Sequence, residues 1–315
     1  MLNINHIHEA RERIASRIHR TPVITSKQFN KLAGKEVFFK CENFQRAGAF
    51  KIRGATNKIQ SLTEAEKRSG IVAFSSGNHA QAVALAGREA GVRVMVAMPS
   101  DAPQAKVTAT REYGAEVVFY DRLKQDREAF ALELAEREQL VMVPPYDDEM
   151  ILAGQGTCGL ELLEEVPDLD CVLTPCSGGG LFAGVATAAK AVNPDIRCYP
   201  VEPADADDTR QSLLKGERVT IPPPATIADG LRVQIPGRLT FPITQRLADD
   251  VLIVSDEEIV ETMRFMLFRM KVLVETSGAT AAAAVMFKKL PPDVKRVGVV
   301  LSGGNIDPEL LARLL

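Results

Sequence analysis

From residue 70 onward, short apolar runs rich in β-branched residues alternate with longer stretches of helical period, and this alternation limits the fold more than any other feature of the chain. Residues 71–74, 93–98, 116–120, 140–143, 171–176, 196–201 and 297–301 read as strands. Residues 79–90, 102–113, 126–138, 148–165, 181–192 and the segment around 207–215 read as helices. Strands that are apolar throughout and separated by helices predict parallel sheets covered on both faces, hence an α/β protein. Pro144-Pro145 closes one α/β block, and Pro222-Pro223-Pro224 marks a surface loop. The expected organisation is a small α/β unit over residues 61–147, inserted into a larger unit built from 1–60 and 148–315. No internal repeat or low-complexity tract is present in the sequence.

Composition removes several function classes. With 46% hydrophobic and 25% charged residues the chain is not of the disordered type. A net charge of −3, with Lys and Arg scattered, argues against a nucleic-acid partner. No apolar run approaches the roughly 18–20 residues of a membrane span. Residues 5–20 have helical character and four arginines, but Glu9 and Glu12 speak against a transit peptide. The five cysteines form an odd set without C-x-x-C spacing. Buried free thiols in a reducing cytoplasm are therefore expected.

In open α/β sheets, ligands bind at the carboxyl ends of strands. Three glycine-rich turns sit at such ends: Ser75-Ser76-Gly77-Asn78, Ser177-Gly178-Gly179-Gly180 and Ser302-Gly303-Gly304-Asn305. Together they predict one shared cleft. The middle turn joins a strand to a helix, where backbone N–H groups and the helix N-terminus favour an anion such as phosphate. Ser177 adds a hydroxyl donor. Gly178, Gly180 and Ala183 also fit G-x-G-x-x-A, with Glu202 following 24 residues after Gly178. Taken alone, that pattern suggests a dinucleotide site and an NAD-dependent dehydrogenase.

Lys51 lies in Gly48-Ala49-Phe50-Lys51-Ile52-Arg53-Gly54, between a glycine-flanked aromatic and what reads as a second glycine-bounded turn. Ser75-Ser76-Gly77-Asn78-His79-Ala80-Gln81, Ser177-Gly178-Gly179-Gly180-Leu181 and Leu301-Ser302-Gly303-Gly304-Asn305 follow in that order. The set resembles the serine racemase and serine/threonine dehydratase family of pyridoxal-phosphate (PLP) enzymes, of the tryptophan synthase β-like fold type II. The resemblance runs from about residue 20 to 305 and outweighs the dinucleotide match. It implies that Lys51 holds pyridoxal 5'-phosphate as a Schiff base, which needs an amine whose pKa is lowered by partial burial or nearby cations. It further implies that Phe50 packs on the cofactor and Asn78 bonds its ring hydroxyl. Ser177, Gly178, Gly179, Gly180 and Leu181 would hold its phosphate, and Ser302 would face the pyridine nitrogen. A serine there, rather than a carboxylate, favours expulsion of a β-substituent. The family usually has four glycines in the phosphate loop; Ser177 replaces the first, and either donates to phosphate or narrows the loop.

The reaction implied is dehydration and deamination of a β-hydroxy amino acid to a keto acid and ammonia. The substrate carboxylate would dock on the turn Ser75, Ser76, Gly77, Asn78 and His79. His79, where β-replacement relatives carry threonine, favours dehydratase or racemase chemistry. Ser76 aligns with a racemase-type serine opposite Lys51, which adds a racemase activity; alternatively it caps the following helix. Arg127 aligns with an arginine that reaches substrate carboxylates in the racemase branch and would favour a second carboxylate, as in 3-hydroxyaspartate; alternatively it is an exposed helix arginine paired with Asp126 or Glu128, so serine, threonine and 3-hydroxyaspartate all stay open. Glu202, Asp208 and the Ala206 carbonyl match a family site for a divalent cation, magnesium, manganese or calcium. A homodimer is implied by resemblance alone. With the chain ending at Leu315, no C-terminal feedback domain is expected. His6 and His8 are a weak metal pair, and Met263, Met266 and Met270 read as core or subunit interface.

Overall fold

The computed structural model describes residues 1–315, apart from the side chain of Ala105. Ten strands form two sheets: β1 (Val23–Ile24), β2 (Glu36–Cys41), β3 (Ile71–Phe74), β4 (Val94–Pro99), β5 (Glu116–Tyr120), β6 (Val141–Met142), β7 (Cys171–Pro175), β8 (Arg197–Pro203), β9 (Leu252–Val254) and β10 (Arg296–Leu301). The larger sheet has the order β1-β2-β10-β7-β8-β9 and the smaller β5-β4-β3-β6. Every neighbouring pair is parallel except β1 against β2. The α/β class read from the alternation is the class observed. Three strands escaped that reading. β1 and β9 have only two and three residues, and β2 precedes the region where the alternation is regular.

The reason for the parallel arrangement is visible in burial. β3, β4 and β7 are buried at every position, so each needs cover on both faces. Helices Asn78–Ala90 and Arg127–Glu138 pack on the smaller sheet; Gly180–Val192 and Thr276–Met286 pack on the larger. Met263 and Met266 are buried in the core of the larger sheet, and Met270 packs against it. His6 and His8 lie two apart on helix Ile4–Ile14 and do not share a face. All five cysteines are buried and free.

Helix Lys51–Gln60 links the two sheets. Its Ile52, Ala55 and Ile59 enter the core of the smaller sheet, while its other side lies along helix Glu149–Glu165. The contact between these helices is backbone to backbone: a Cβ on Gly154 would sit 2.6 Å from the Gly54 Cα. Gly54 is therefore a helix-packing glycine and does not bound a turn, as its sequence context suggested.

Beneath this helix lies a buried charge network. Arg53 is fully buried and donates to Glu42 (2.7 and 2.8 Å), to Glu161 (2.7 and 2.8 Å) and to Thr157 (3.0 Å). Lys40 donates to Glu161 (2.7 Å) and to the Thr21 carbonyl (2.7 Å). Two cations and two carboxylates balance, and each is hydrogen-bonded, as charges inside a protein must be.

Candidate active site

The carboxyl ends of β3, β7 and β10 converge on one cavity of about 220 Å³, and all three glycine-rich turns line it. The lysine enters from a sharp corner. Ala47 and Gly48 both have positive φ (54° and 70°). Ala49 forms a bridge with Gly303, and the Phe50 N–H donates to the Ser302 carbonyl (3.0 Å). The loop after β10 thus fixes the start of the helix whose first residue is Lys51. Its Nζ donates to the Pro145 carbonyl (2.6 Å) and lies 5.1 Å from the centre of the Phe50 ring. Burial lowers the amine from its ordinary value to about 8. Of the two causes expected from sequence, burial is the one at work.

Opposite stands the loop Ser177–Gly180. Gly179, at φ 87°, precedes helix Gly180–Val192, whose first N–H groups have no intrahelical partner. A Cβ on Gly178 would lie 2.5 Å from the Tyr146 ring, and one on Gly179 would lie 2.9 Å from Thr240. Side chains are therefore excluded here, and the backbone forms the cavity wall. The Ser177 Oγ is buried with no hydrogen-bond partner. An unsatisfied hydroxyl beside free N–H groups at a helix N-terminus suits an anion such as phosphate. These features would suit the phosphate of PLP, with the Lys51 amine lining the same cavity.

The turn after β3 supplies a third wall. The Ser75 Oγ accepts from the Gly77 N–H (3.1 Å), and Gly77 itself precedes the helix. Ser76 makes no capping bond, so the capping alternative does not hold, and the residue lines the cavity. His79 is buried, with Nε2 2.9 Å from the Val143 carbonyl, and burial pushes its imidazole down to about 3. It is neutral at any working pH and offers the turn its backbone. Asn78 donates to Glu275 (2.7 Å) and accepts from Asn305 (2.9 Å). Ser302 lines the cavity beside them.

Arg127 is exposed at the mouth, the first residue of helix Arg127–Glu138, with its guanidinium 6.0 Å from the Phe74 ring centre. Among the described residues it makes no ion pair with Asp126 or Glu128, the alternative its sequence context allowed. Among the cavity residues missed in the sequence are Tyr146 and Glu275. Tyr146 carries a phenol raised above its usual value by burial. Glu275 is buried, and burial raises its carboxyl to about 7. Neither sits in a glycine motif; their neighbours along the chain give no signal. A salt bridge between Lys106 and Asp229 (2.6 Å) also borders the cavity, joining the helix after β4 to the loop before β9.

Behind the phosphate loop, Glu202 lies one residue from the end of β8, fully buried, and accepts the N–H groups of Thr209 and Arg210 (both 3.0 Å). This excludes it as a ribose ligand, which must face a cleft. Both carboxylate oxygens of Asp208 are buried without a partner, and Ala206 is buried beside them. Burial and the neighbouring Glu202 raise the Asp208 carboxyl to about 9, and burial raises Glu202 to about 7. Two desolvated acids, one of them with both oxygens orphaned, suit a hard cation. The loop is linked to the cavity by Cys176, whose Sγ is 3.6 Å from the Thr209 hydroxyl.

Residues 14–303 match the profile of the pyridoxal-phosphate dependent enzyme family. A serine racemase of Schizosaccharomyces pombe is 48% identical over 97% of this chain and 95% of its own length. An L-threo-3-hydroxyaspartate ammonia-lyase of a Pseudomonas species is 48% identical over 98% and 96%. Among solved structures, maize serine racemase superposes with a TM-score of 0.95 at 44% identity, covering 99% of this chain and 96% of that one. These matches extend over the dinucleotide-like segment too, and with the burial of Glu202 they overturn the dehydrogenase alternative.

Proposed function

Because this chain belongs to the pyridoxal-phosphate-dependent enzyme family and has its fold type II architecture, we propose that it dehydrates and deaminates a β-hydroxy amino acid. The substrates are serine, threonine or 3-hydroxyaspartate, the products a keto acid and ammonia, and racemisation is a second activity. The observation that carries this reading is one cavity holding both a lysine with a lowered pKa and, across it, an unpartnered Ser177 hydroxyl beside a glycine cradle.

When bound, PLP withdraws electrons from the substrate's Cα and so acidifies its hydrogen. Ser177, Gly178, Gly179, Gly180 and Leu181 would hold the phosphate, Asn78 the ring hydroxyl and Ser302 the ring nitrogen, and Phe50 would pack on the ring. The N–H groups of the Ser75–His79 turn bind and orient the α-carboxylate. Lys51 Nζ, near-neutral by burial, takes the α-proton on one face. Ser76 Oγ handles the proton on the other face and so admits the opposite enantiomer. The arginine at position 127, in no ion pair with Asp126 or Glu128, clamps a second carboxylate when the substrate has one.

A panel of L- and D-serine, L-threonine and the 3-hydroxyaspartates, read by keto-acid release, tests this. Turnover of at least one, abolished by Lys51→Ala, is expected; no turnover on any overturns the reading. Arg127→Ala lowers kcat/KM for 3-hydroxyaspartate about tenfold or more relative to L-serine, the scale of a charge-assisted hydrogen-bonding pair.

Glu202, Asp208 and the Ala206 carbonyl are the proposed ligands of a divalent cation with a structural role, supported by the orphaned Asp208 oxygens. The division into residues 1–60 with 148–315 and a unit at 61–147 is supported by the membership of the two sheets; limited proteolysis near the junctions tests it. A homodimer, testable by light scattering, and a cytoplasmic location, favoured by five free buried thiols, complete the proposal.

A further inference from the structure

We infer that Glu275 is a positioning residue that acts through Asn78, fixing which edge of that amide faces the cofactor. The inference rests on the PLP reading above. An amide can sit in two flipped orientations, and only its partners choose between them. Here both partners are decisive. A Glu275 oxygen receives the Asn78 Nδ2–H at 2.7 Å. Asn305 Nδ2 donates to the Asn78 Oδ1 at 2.9 Å and to the Ala47 carbonyl at 2.7 Å. The Ala47 bond fixes the Asn305 amide, and Asn305 in turn fixes Asn78. Flipping Asn78 would set oxygen against oxygen at Glu275 and NH2 against NH2 at Asn305. In the observed orientation one N–H of Asn78 remains free, a donor suited to a phenolic oxygen.

Glu275 is built for this task. It precedes helix Thr276–Met286 at the N-cap position, yet its carboxylate makes no capping bond to that helix and goes to Asn78 instead. Its own N–H donates to the Gly303 carbonyl (3.1 Å). A Cβ on Gly303 would strike the carboxylate. The chain of contacts therefore runs from the lysine corner at Ala47, through Asn305, Asn78 and Glu275, back to the loop that carries Ser302. Burial holds the carboxylate near neutral pKa, so it is a costly group to keep there without a partner.

The test is titration of the PLP-free full chain with PLP, reading both affinity and the position of the bound cofactor's absorbance band, with thermal unfolding as a check on folding. Wild type must bind PLP; if it does not, the cofactor reading fails and not this one. Glu275→Ala is expected to weaken PLP binding about tenfold and shift the band, the loss expected for one charge-assisted hydrogen bond. Glu275→Gln, whose oxygen accepts the same N–H, stays within about threefold of wild type. In an Asn78→Ala background, Glu275→Ala adds less than about twofold, because its route is already cut. Wild-type affinity and band in Glu275→Ala, a Gln variant as impaired as Ala, or full additivity with Asn78→Ala would each overturn the inference. Should Glu275→Ala not fold, Glu275→Asp, one methylene short of Asn78, replaces it and is expected to weaken binding where Gln does not.

Discussion

The lysine at position 51 shows what a side chain gains from its surroundings. Its amine titrates near 8 because burial penalises the ammonium form. The neutral amine is the reactive species, so its neutral fraction rises with pH up to about 8 and then levels. Capture of PLP by the PLP-free protein should accelerate about tenfold per pH unit below that value and become flat above it. Stopped-flow absorbance measures this, and a plateau only above pH 10 would show an unperturbed lysine. Ser76→Ala should reduce racemisation by about a hundredfold, the lower end for loss of a positioned acid–base group, and reduce elimination far less; product chirality assays with keto-acid release separate the two. That Lys51 and Ser76 line one cavity was legible in the sequence because each sits in a motif with its own glycines. Glu275 and Tyr146 were not. Their roles come from contacts with Asn78 and Gly178, which lie 197 and 32 positions away and meet them only after folding.

Among the elements, helix Lys51–Gln60 carries the most chemistry, and its position depends on charges that no hydrophobic pattern reveals. Arg53 anchors it to Glu42 and Glu161. Replacing Arg53 with Met would leave those carboxylates in the interior with only Lys40 opposite. The expected loss is about 3–5 kcal/mol, as for other buried pairs broken on one side. Denaturant unfolding checks it; a loss under about 1 kcal/mol would mean that the network relaxes. β2 escaped the sequence reading for a related cause. Its Lys40 looks like a surface residue in an apolar run, and only the fold shows it fully buried against Glu161. The helices and strands between 71 and 215 were legible because apolar runs and helical periods alternate there at regular spacing.

Across the molecule, three turns from distant parts of the chain form one cavity because parallel strands deliver their carboxyl ends to the same side. That convergence was readable in outline: the turns announce themselves by composition, and the fold class says where they must point. The acid loop behind them is where the proposed cation would act. Magnesium, manganese or calcium at a hundred times its dissociation constant should stabilise the protein by about 2.7 kcal/mol, the mass-action value for one site. Thermal unfolding with the metal and with a chelator measures it, and Asp208→Ala should erase the difference.

The close approach of Gly54 and Gly154 carries one more consequence. The aim of the lysine is set by two missing methyl groups, one on each helix. An alanine at 154 would press its methyl into the Arg53–Gly54 backbone, and one at 54 into Gln155 and the Ile151 carbonyl, so either would displace the helix that begins at Lys51. Filling either site would therefore cost helix packing and the aim of the amine together.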